Sequence, residues 1–336
     1  MNLNIRQNIY INKFLEARES AIFFAFLSIF VILTFATPYF IRITNLLNIG
    51  RQISFLGMMG IGLGIVIITG NIDLSIGSVY GLAAVVTALT MVKTGNTFIS
   101  IFSGVIAGTS VGLVNGWLLV KIKLPSFIVT FGMMNVVRGL ILIITNGYPI
   151  TLFLDGITNE THPGFYFVGG GKLFNNIPMQ FIIMLFFMLF FGYILHRTIF
   201  GLHIFAVGDS EKAAHASGID NGAIKIKALL ISSFLASVAG ILNLSFIGSV
   251  QATSGQGLEF ETFAAVIIGG VSFAGGEGSI AGILIGTLII GIIRNGLVLL
   301  GVGPFMQVLI VGLIAIGAVA YDSLTWAKRQ ERRLSI

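Results

Sequence analysis

Few side chains in this sequence can do chemistry, and most of them stand beside long apolar runs. Asp73 lies in Ile67-Ile68-Thr69-Gly70-Asn71-Ile72-Asp73-Leu74-Ser75-Ile76-Gly77-Ser78, flanked by Gly70 and Gly77. A carboxylate there favours the N-terminus of the next helix, so capping is the expected structural role. The functional alternative is a bent element that lines a passage or contacts a partner. Glu259 and Glu261 close the polar, glycine-rich run Gln251-Ala252-Thr253-Ser254-Gly255-Gln256-Gly257-Leu258-Glu259-Phe260-Glu261, and Glu277 sits in Gly275-Gly276-Glu277-Gly278-Ser279. Glycine-rich backbone can cradle phosphate, but no Gly-Lys-Ser/Thr follows, so a Walker A nucleotide site is excluded. Arg138 and Arg294 fall within or near apolar runs, where each needs a partner, a cavity or a route to the interface. His162, His196, His203 and His215 lack metal-ligand spacing, and no Ser/His/Asp arrangement supports nucleophilic catalysis. Cysteine is absent, which excludes thiolate metal sites, disulfides and a cysteine nucleophile. The expectation is a chain with no cofactor and no metal that is not an enzyme.

One polar segment has local helix signals of its own. In Gly208-Asp209-Ser210-Glu211-Lys212-Ala213-Ala214-His215-Ala216-Ser217-Gly218-Ile219, either Asp209 or Ser210 can cap a helix, Glu211 suits its first turn and alanines fill its body. Gly218 suits a left-handed C-terminal cap. The pattern predicts a short helix of about two turns over 209–218. Such a helix is marginal alone and gains stability by docking into a groove on another protein.

The elements that must position these groups are set by composition. Of 336 residues, 56% are hydrophobic and only 10% are charged, against roughly 25% charged in an ordinary globular domain. The surface of such a chain must face lipid. Forty-three glycines fit the same conclusion, because helices in lipid associate through close backbone approach. A helix needs roughly 20 apolar residues to cross the hydrocarbon core. That ruler predicts an all-α, polytopic transmembrane bundle of about ten spans, at 20–37, 51–69, 74–92, 98–120, 125–145, 178–195, 228–247, 262–275, 280–299 and 304–321. The Gly- and Ser-rich stretches near 70–92 and 262–280 are candidates for broken or re-entrant helices, tolerated where protein or a water-filled cavity surrounds them. The first apolar run is too long for a signal-peptide core and reads as a retained span.

Lys and Arg set the sidedness. With both termini cytoplasmic, the inner segments hold thirteen basic residues: Arg6, Lys13, Arg18, Lys121, Lys123, Arg197, Lys212, Lys225, Lys227, Lys328, Arg329, Arg332 and Arg333. The outer segments hold four: Arg42, Arg51, Lys93 and Lys172. This places loop 146–177 outside and loop 196–227 inside. The basic residues are thus orientation signals, and no nucleic-acid partner is expected. The division along the chain is an N-terminal cytoplasmic or interfacial arm (1–19), one transmembrane domain (20–322) and a basic cytoplasmic tail (323–336). An internal echo is also present, Gly77-Ser78-Val79-Tyr80-Gly81 against Gly278-Ser279-Ile280-Ala281-Gly282, as expected of transporters built from repeats.

At these motifs the sequence resembles the ribose/xylose/arabinose-type permeases of bacterial ABC importers, within the superfamily that includes branched-chain amino acid permeases. The likeness runs from about residue 40 to 322. It is carried by Ile68 to Ser78, Leu124-Pro125-Ser126-Phe127-Ile128-Val129-Thr130-Phe131-Gly132 with Arg138-Gly139, Phe200-Gly201 to Gly218-Ile219, Ala264 to Gly270, and Gly275 to Ser279. The resemblance implies a permease in the bacterial cytoplasmic (inner) membrane. It implies a pair of ABC ATPase subunits inside, an extracytoplasmic sugar-binding protein outside, and a second permease copy or close relative beside it in the bilayer. It implies that the 209–218 helix docks on the ATPase. Ala213, Ala214 and Gly218 keep the family's spacing, whereas Lys212 stands at its glutamate position and Glu211 comes one residue earlier. An uncharged, ribose-like sugar would pass along small and polar groups. Asn71, Asn115, Asn135, Asn243 and Gln256 are candidates for that lining, with packing between helices as their alternative role. Asp73, Ser75 and Glu277 are the polar residues of the family motifs. Rival readings are another cargo (a sugar-derived signal, a nucleoside, a branched-chain amino acid) and an ion-coupled secondary transporter. The latter usually relies on intramembrane carboxylates, whereas Asp73, Glu259, Glu261 and Glu277 all fall near the ends of expected spans.

Overall fold

The computed structural model describes residues 18–174 and 176–334. Among these, thirteen α-helices carry nearly all the regular structure. The first five are α1 (Arg18–Ala36), α2 (Ile43–Ile68), α3 (Ile76–Thr94), α4 (Thr97–Lys121) and α5 (Ser126–Thr145). A long connection containing α6 (Pro163–Gly170) leads to α7 (Met179–Arg197), α8 (Ile199–Asp209), α9 (Glu211–Ala216) and α10 (Asn221–Ile247). α11 (Leu258–Ile268), α12 (Ile280–Leu299) and α13 (Pro304–Leu334) complete the series. Seven of these, α2, α3, α4, α5, α7, α10 and α12, are long and apolar enough to cross a membrane. The chain is a polytopic helical membrane protein.

α11 departs from the sequence expectation of a span at 262–275. It has 11 residues, about 17 Å of helix, against a hydrocarbon core of about 30 Å. Gly257, left-handed at φ +87°, stands before it, and Gly269-Gly270 ends it. The glycines that suggested a broken helix are thus the residues that shorten it. α13 runs on to Leu334 without a break at 322. The expected N-terminal arm falls almost wholly on residues 1–17, outside the described residues.

α10 is the central helix, packed against α2, α3 and α4. Burial separates an inner layer from an outer one. The spanning windows of α2 and α3 are 83% and 72% buried, whereas those of α4, α5 and α7 are 22–28% buried. Phe98, Phe102, Ile143 and Leu189 accordingly stand exposed on that outer ring, as a lipid-facing surface requires. Close approach of α4 to its neighbours depends on Gly104, Gly108, Gly112 and Gly116, one per turn along a single face. A methyl group on them would meet Thr87 of α3, Ser237 and Ser233 of α10, and Ile226 of α10, respectively. This is the small-residue seam that lets helices pack in lipid.

The end of the bundle opposite α9 is closed by ordered connections. β1 (Ile150–Thr151) pairs antiparallel with β4 (Ser249–Val250), and β2 (Lys172–Leu173) pairs with β3 (Ile177–Pro178). Ser245 Oγ on α10 donates to the Phe165 carbonyl of α6. The two arginines that the sequence places within or near apolar runs, Arg138 and Arg294, both find partners. Arg138 Nη1 donates to the carbonyls of Ala252 (3.2 Å) and Ser254 (2.8 Å), and Arg294 pairs with Glu261 at 2.7 Å.

Candidate functional site

α2 ends in a left-handed turn. Gly70 takes φ +76°, its N–H donates to Ile67 O, and Asn71 N–H donates back to Val66 O. The chain then stays non-helical until Ile76 while remaining inside the protein. Ile72 is held on both sides of its peptide, its N–H donating to Ser126 Oγ and its carbonyl accepting from Thr130 Oγ1. Asp73 is fully buried. Its Oδ1 accepts from Ser75 N–H (3.0 Å) and Ser75 Oγ (2.6 Å), and its Oδ2 accepts from Ser232 Oγ on α10 (2.8 Å). Asn115 Nδ2 on α4 donates to Ser75 Oγ at 2.9 Å. Asp73 therefore closes a turn ahead of α3 rather than capping the helix, whose cap position is Ser75. A carboxylate this deep needs several donors, and a capping geometry offers it only the first-turn N–H groups.

A second junction joins α11 to α12. Gly270 is left-handed at φ +83°, Gly270 N–H donates to Ile267 O, and Val271 N–H donates to Val266 O. Ser279 then caps α12, its Oγ accepting from Gly282 N–H at 3.0 Å. Between them Gly275 and Gly276 are both left-handed, and Glu277 is exposed. The two junctions touch: Gly276 N–H donates to Ile68 O at 2.9 Å. Gly208, on the last turn of α8, lies against the same Ile68 carbonyl and the Gly276 amide so closely that a methyl group would overlap them. The expected echo of Gly77-Ser78 with Gly278-Ser279 is not a structural equivalence. Ser78 lies inside α3 and donates to Ser75 O, whereas Ser279 precedes and caps α12.

Beyond Gly208 stands the short end helix. Asp209 is the last residue of α8, so the cap of α9 is Ser210, whose Oγ accepts from Ala213 N–H at 3.3 Å. Gly218 is left-handed at φ +84°, and Gly218 N–H and Ile219 N–H close the turn on His215 O and Ala214 O. Ala214 faces inward and is buried, while Lys212, Ala213 and His215 are exposed. Glu211 ties the helix to α10. Its carbonyl accepts from Asn221 Nδ2 at 2.7 Å, and its carboxylate pairs with Lys225 at 2.5 Å.

The polar lining candidates separate in space. Asn71 and Glu211 share the wall of a cavity of about 580 Å³ beside α9. Asn115 is buried in the Asp73 network. Asn135 is exposed on α5, its Nδ2 donating to Phe131 O of the same helix, and Gln256 is exposed in the turn before α11. Asn243 lines a cavity of about 470 Å³ at the opposite end of the bundle, with Arg51, Gln52, Glu261, Arg294 and Gln307. Sequence reasoning did not assemble that group. Its members come from α2, α10, α11, α12 and α13, so no spacing along the chain relates them. The sequence signals were Asn243 as a lining candidate and Arg294 in an apolar run, which required a partner or a cavity and has both.

Residues 45–319 match the family described as branched-chain amino acid transport system / permease component. The ribose import permease protein RbsC of Bacillus subtilis (strain 168) is 38% identical over 300 residues, covering 88% of this chain and 91% of the relative. RbsC of Escherichia coli (strain K12) is 36% identical over 299 residues, 89% of this chain and 92% of the relative. The L-arabinose transport system permease protein AraH of the same organism is 33% identical over 297 residues, 88% of each chain. No solved structure matches. With the match spanning most of the bundle, including both junctions and α9, the chain belongs to the branched-chain amino acid transport system / permease component family.

Proposed function

We propose that this chain is the membrane-spanning subunit of an ATP-driven importer that passes a ribose-like monosaccharide across the bacterial cytoplasmic membrane, with a separate ATPase supplying the energy. The single observation that carries the proposal is α9. It is a capped helix of six residues with an exposed face, anchored through Gly208 at the point where both broken-helix junctions meet. A helix this short gains little from its own hydrogen bonds, and its exposed face suits a groove on a partner. The names of the relatives, ribose and arabinose permeases, support the cargo class.

In this reading the chain crosses the membrane ten times with both termini cytoplasmic, and α11 with its flanking loops makes one of the crossings. α9 faces the cytoplasm and docks on the ATPase through the exposed side of the segment, with Ser210, Glu211, Lys212, Ala213 and Gly218 on it, Asp209 at its base and Ala214 packed inward as its anchor. A sugar-binding protein docks on the opposite end, and a second permease copy completes the passage. ATP binding and hydrolysis act as differential affinity for inward- and outward-facing states. Displacement of α9 moves Gly208, and Gly208 bears on Ile68 and Gly276 together, so one push reaches both junctions. Ion-coupled transport would require a carboxylate free to exchange protons or ions. Asp73, one of two buried carboxylates among the described residues, has both oxygens occupied by serine donors, and the other, Glu259, accepts from Gly257 N–H.

The test is purification of the tagged chain from native membranes in mild detergent. A Walker-type ATPase is expected at near-equal amount. Gly218→Pro, which a left-handed position does not tolerate, is expected to abolish ATP-driven uptake while leaving the chain in the membrane. A chain that comes out alone in several detergents, or uptake unchanged by Gly218→Pro, sinks the proposal.

A further inference from the structure

We propose that the cavity of about 470 Å³ at the end of the bundle away from α9 is a cargo-recognition site and that it takes an uncharged cyclic polyol. The inference rests on the importer reading and adds to it a place and a set of recognising groups.

The size suits a small molecule, for which sites run roughly 300–1,000 Å³. The lining suits hydroxyl groups. Gln52, Asn243 and Gln307 reach it from α2, α10 and α13, and each carboxamide offers both a donor and an acceptor. A sugar hydroxyl likewise donates and accepts, so such a set can serve it in either sense. The carboxamides come from three different helices, and one of them is held in place by the backbone. Asn243 lines the cavity together with Tyr80, and Gln307 Nε2 donates to Val302 O at 2.8 Å, which leaves its Oε1 as an acceptor.

The charges in the cavity argue against a zwitterion. Glu261 is the carboxylate of this wall, and Arg294 already holds it at 2.7 Å. An amino acid's ammonium would have to compete with that guanidinium. Arg51 lies over the Phe246 ring, 4.4 Å from its centroid, and donates to Asn48 Oδ1 at 2.8 Å. The guanidinium is thus fixed in orientation, and its remaining N–H groups are donors that a hydroxyl oxygen can use. An amino acid's carboxylate would find a donor in Arg51, but its ammonium would find no free acceptor of opposite charge among the lining groups.

The chain contains no cysteine, so an introduced one reports alone. Val298 lines the same cavity and is 56% exposed, which makes Val298→Cys a mild substitution. Phe153→Cys, in the exposed turn Leu152–Asp155, serves as the control. Each variant is purified with its ATPase in lipid nanodiscs, and the rate of maleimide labelling is followed against D-ribose, L-arabinose, leucine and ribonate. The neutral pentoses are expected to slow labelling of Val298→Cys several-fold in a saturable way and to leave Phe153→Cys unchanged. Adding Asn243→Leu, or Gln52→Leu where that variant does not fold, is expected to remove the protection. Protection by leucine or ribonate but not by the pentoses overturns the ligand class, and protection by none overturns the site. Co-purification of the ATPase is read in the same preparation. Its absence counts against the importer reading, whereas its presence without protection counts against the cavity alone.

Discussion

α2 and α11 both end in Val-Ile-Ile followed, two positions on, by a left-handed glycine, at Val66 to Gly70 and at Val266 to Gly270. The backbone hydrogen bonds of the two turns correspond pair for pair: Gly70 to Ile67 and Asn71 to Val66 in one, Gly270 to Ile267 and Val271 to Val266 in the other. Past the turns the two chains diverge. The first runs into the protein and fills the gap before α3 with Asp73, which three hydrogen bonds hold to Ser75 and Ser232. The second stays near the surface and fills its gap with Gly275 and Gly276, whose backbone lies directly on Gly70 and Asp209. One junction is centred on a buried carboxylate, and the other on close backbone contact between glycines and the turn of the first. Non-helical chain at membrane depth needs its polar groups satisfied by protein, and the two junctions meet that need in different ways. The first is built as a strut. The second is built as a contact that glycine alone permits.

The sharpest way to break this contrast is at Asp73. Asp73→Ala leaves the Ser75 and Ser232 donors without their acceptor in the core, and unsatisfied buried groups cost about 1–3 kcal/mol each. The expected loss is about 3 kcal/mol, read as thermal unfolding in detergent. Asp73→Asn keeps the shape and one acceptor oxygen for the two Ser75 donors, and the Ser232 hydroxyl can turn to accept from the new N–H, so a loss of about 1 kcal/mol is expected, with ATP-driven uptake retained. Glu277→Gln, at an exposed position where water screens its interactions, is expected to cost less, about 1 kcal/mol at most. Equal losses at Asp73→Ala and Glu277→Gln would refute the distinction between strut and contact. Loss of uptake in Asp73→Asn at unchanged stability would give the carboxylate a direct part in transport.

Next in size is Gly208→Ala. The added methyl overlaps the Ile68 carbonyl and the Gly276 amide, and overpacking of this kind typically costs 1–3 kcal/mol, so about 2 kcal/mol is expected. Uptake should fall further than stability does, because the substitution pushes on both junctions at once. Retained uptake would show that the three-way contact does not carry the motion. A smaller pair sharpens the likeness between the turns. Gly70→Ala and Gly270→Ala each place a Cβ in a left-handed residue, at about 1–2 kcal/mol. Nothing lies within 4 Å of a methyl at Gly70, so its loss is backbone strain alone. Similar midpoints for the two variants would establish the turns as energetic equivalents.

Much of this was legible in the residues. Apolar run lengths marked the long helices, and the Ser210 to Gly218 pattern gave α9 nearly to its ends, because caps act locally. Arg138 and Arg294 announced their need for partners. The fate of the carboxylates was not legible. Asp73 and Glu259 stand at helix starts in sequence, yet both are buried, because α3 and α11 begin inside the bundle. Only the packing puts them there: Ser232 of α10 and Asn115 of α4 enclose the start of α3, and α3 itself, at Gly77, lies against Glu259. The matched turns were present in the sequence as Val-Ile-Ile-Thr-Gly and Val-Ile-Ile-Gly-Gly, 200 residues apart. The Gly-Ser echo drew attention instead, although it aligns a residue inside a helix with one that caps a helix. The cavity around Asn243 was not legible as a group, since six helices contribute to it.

The smallest effect on global stability is expected at Ser210→Ala, and it separates α9 from the two junctions it leans on. Ser210 Oγ satisfies one N–H of a helix only six residues long, and removing such a cap costs about 1 kcal/mol of helix stability. A helix held at one end can open without the core opening. Hydrogen-exchange protection of the Ala213 and Ala214 amides should therefore fall about fivefold, the equivalent of that ~1 kcal/mol, while the thermal midpoint stays close to that of the parent. ATP-driven uptake should fall with the protection, because a frayed α9 presents its docking face for less of the time. If the midpoint instead drops as far as it does for Gly70→Ala, α9 belongs to the same cooperative unit as the junctions. The push through Gly208 would then be a property of the whole end of the bundle rather than of one short helix.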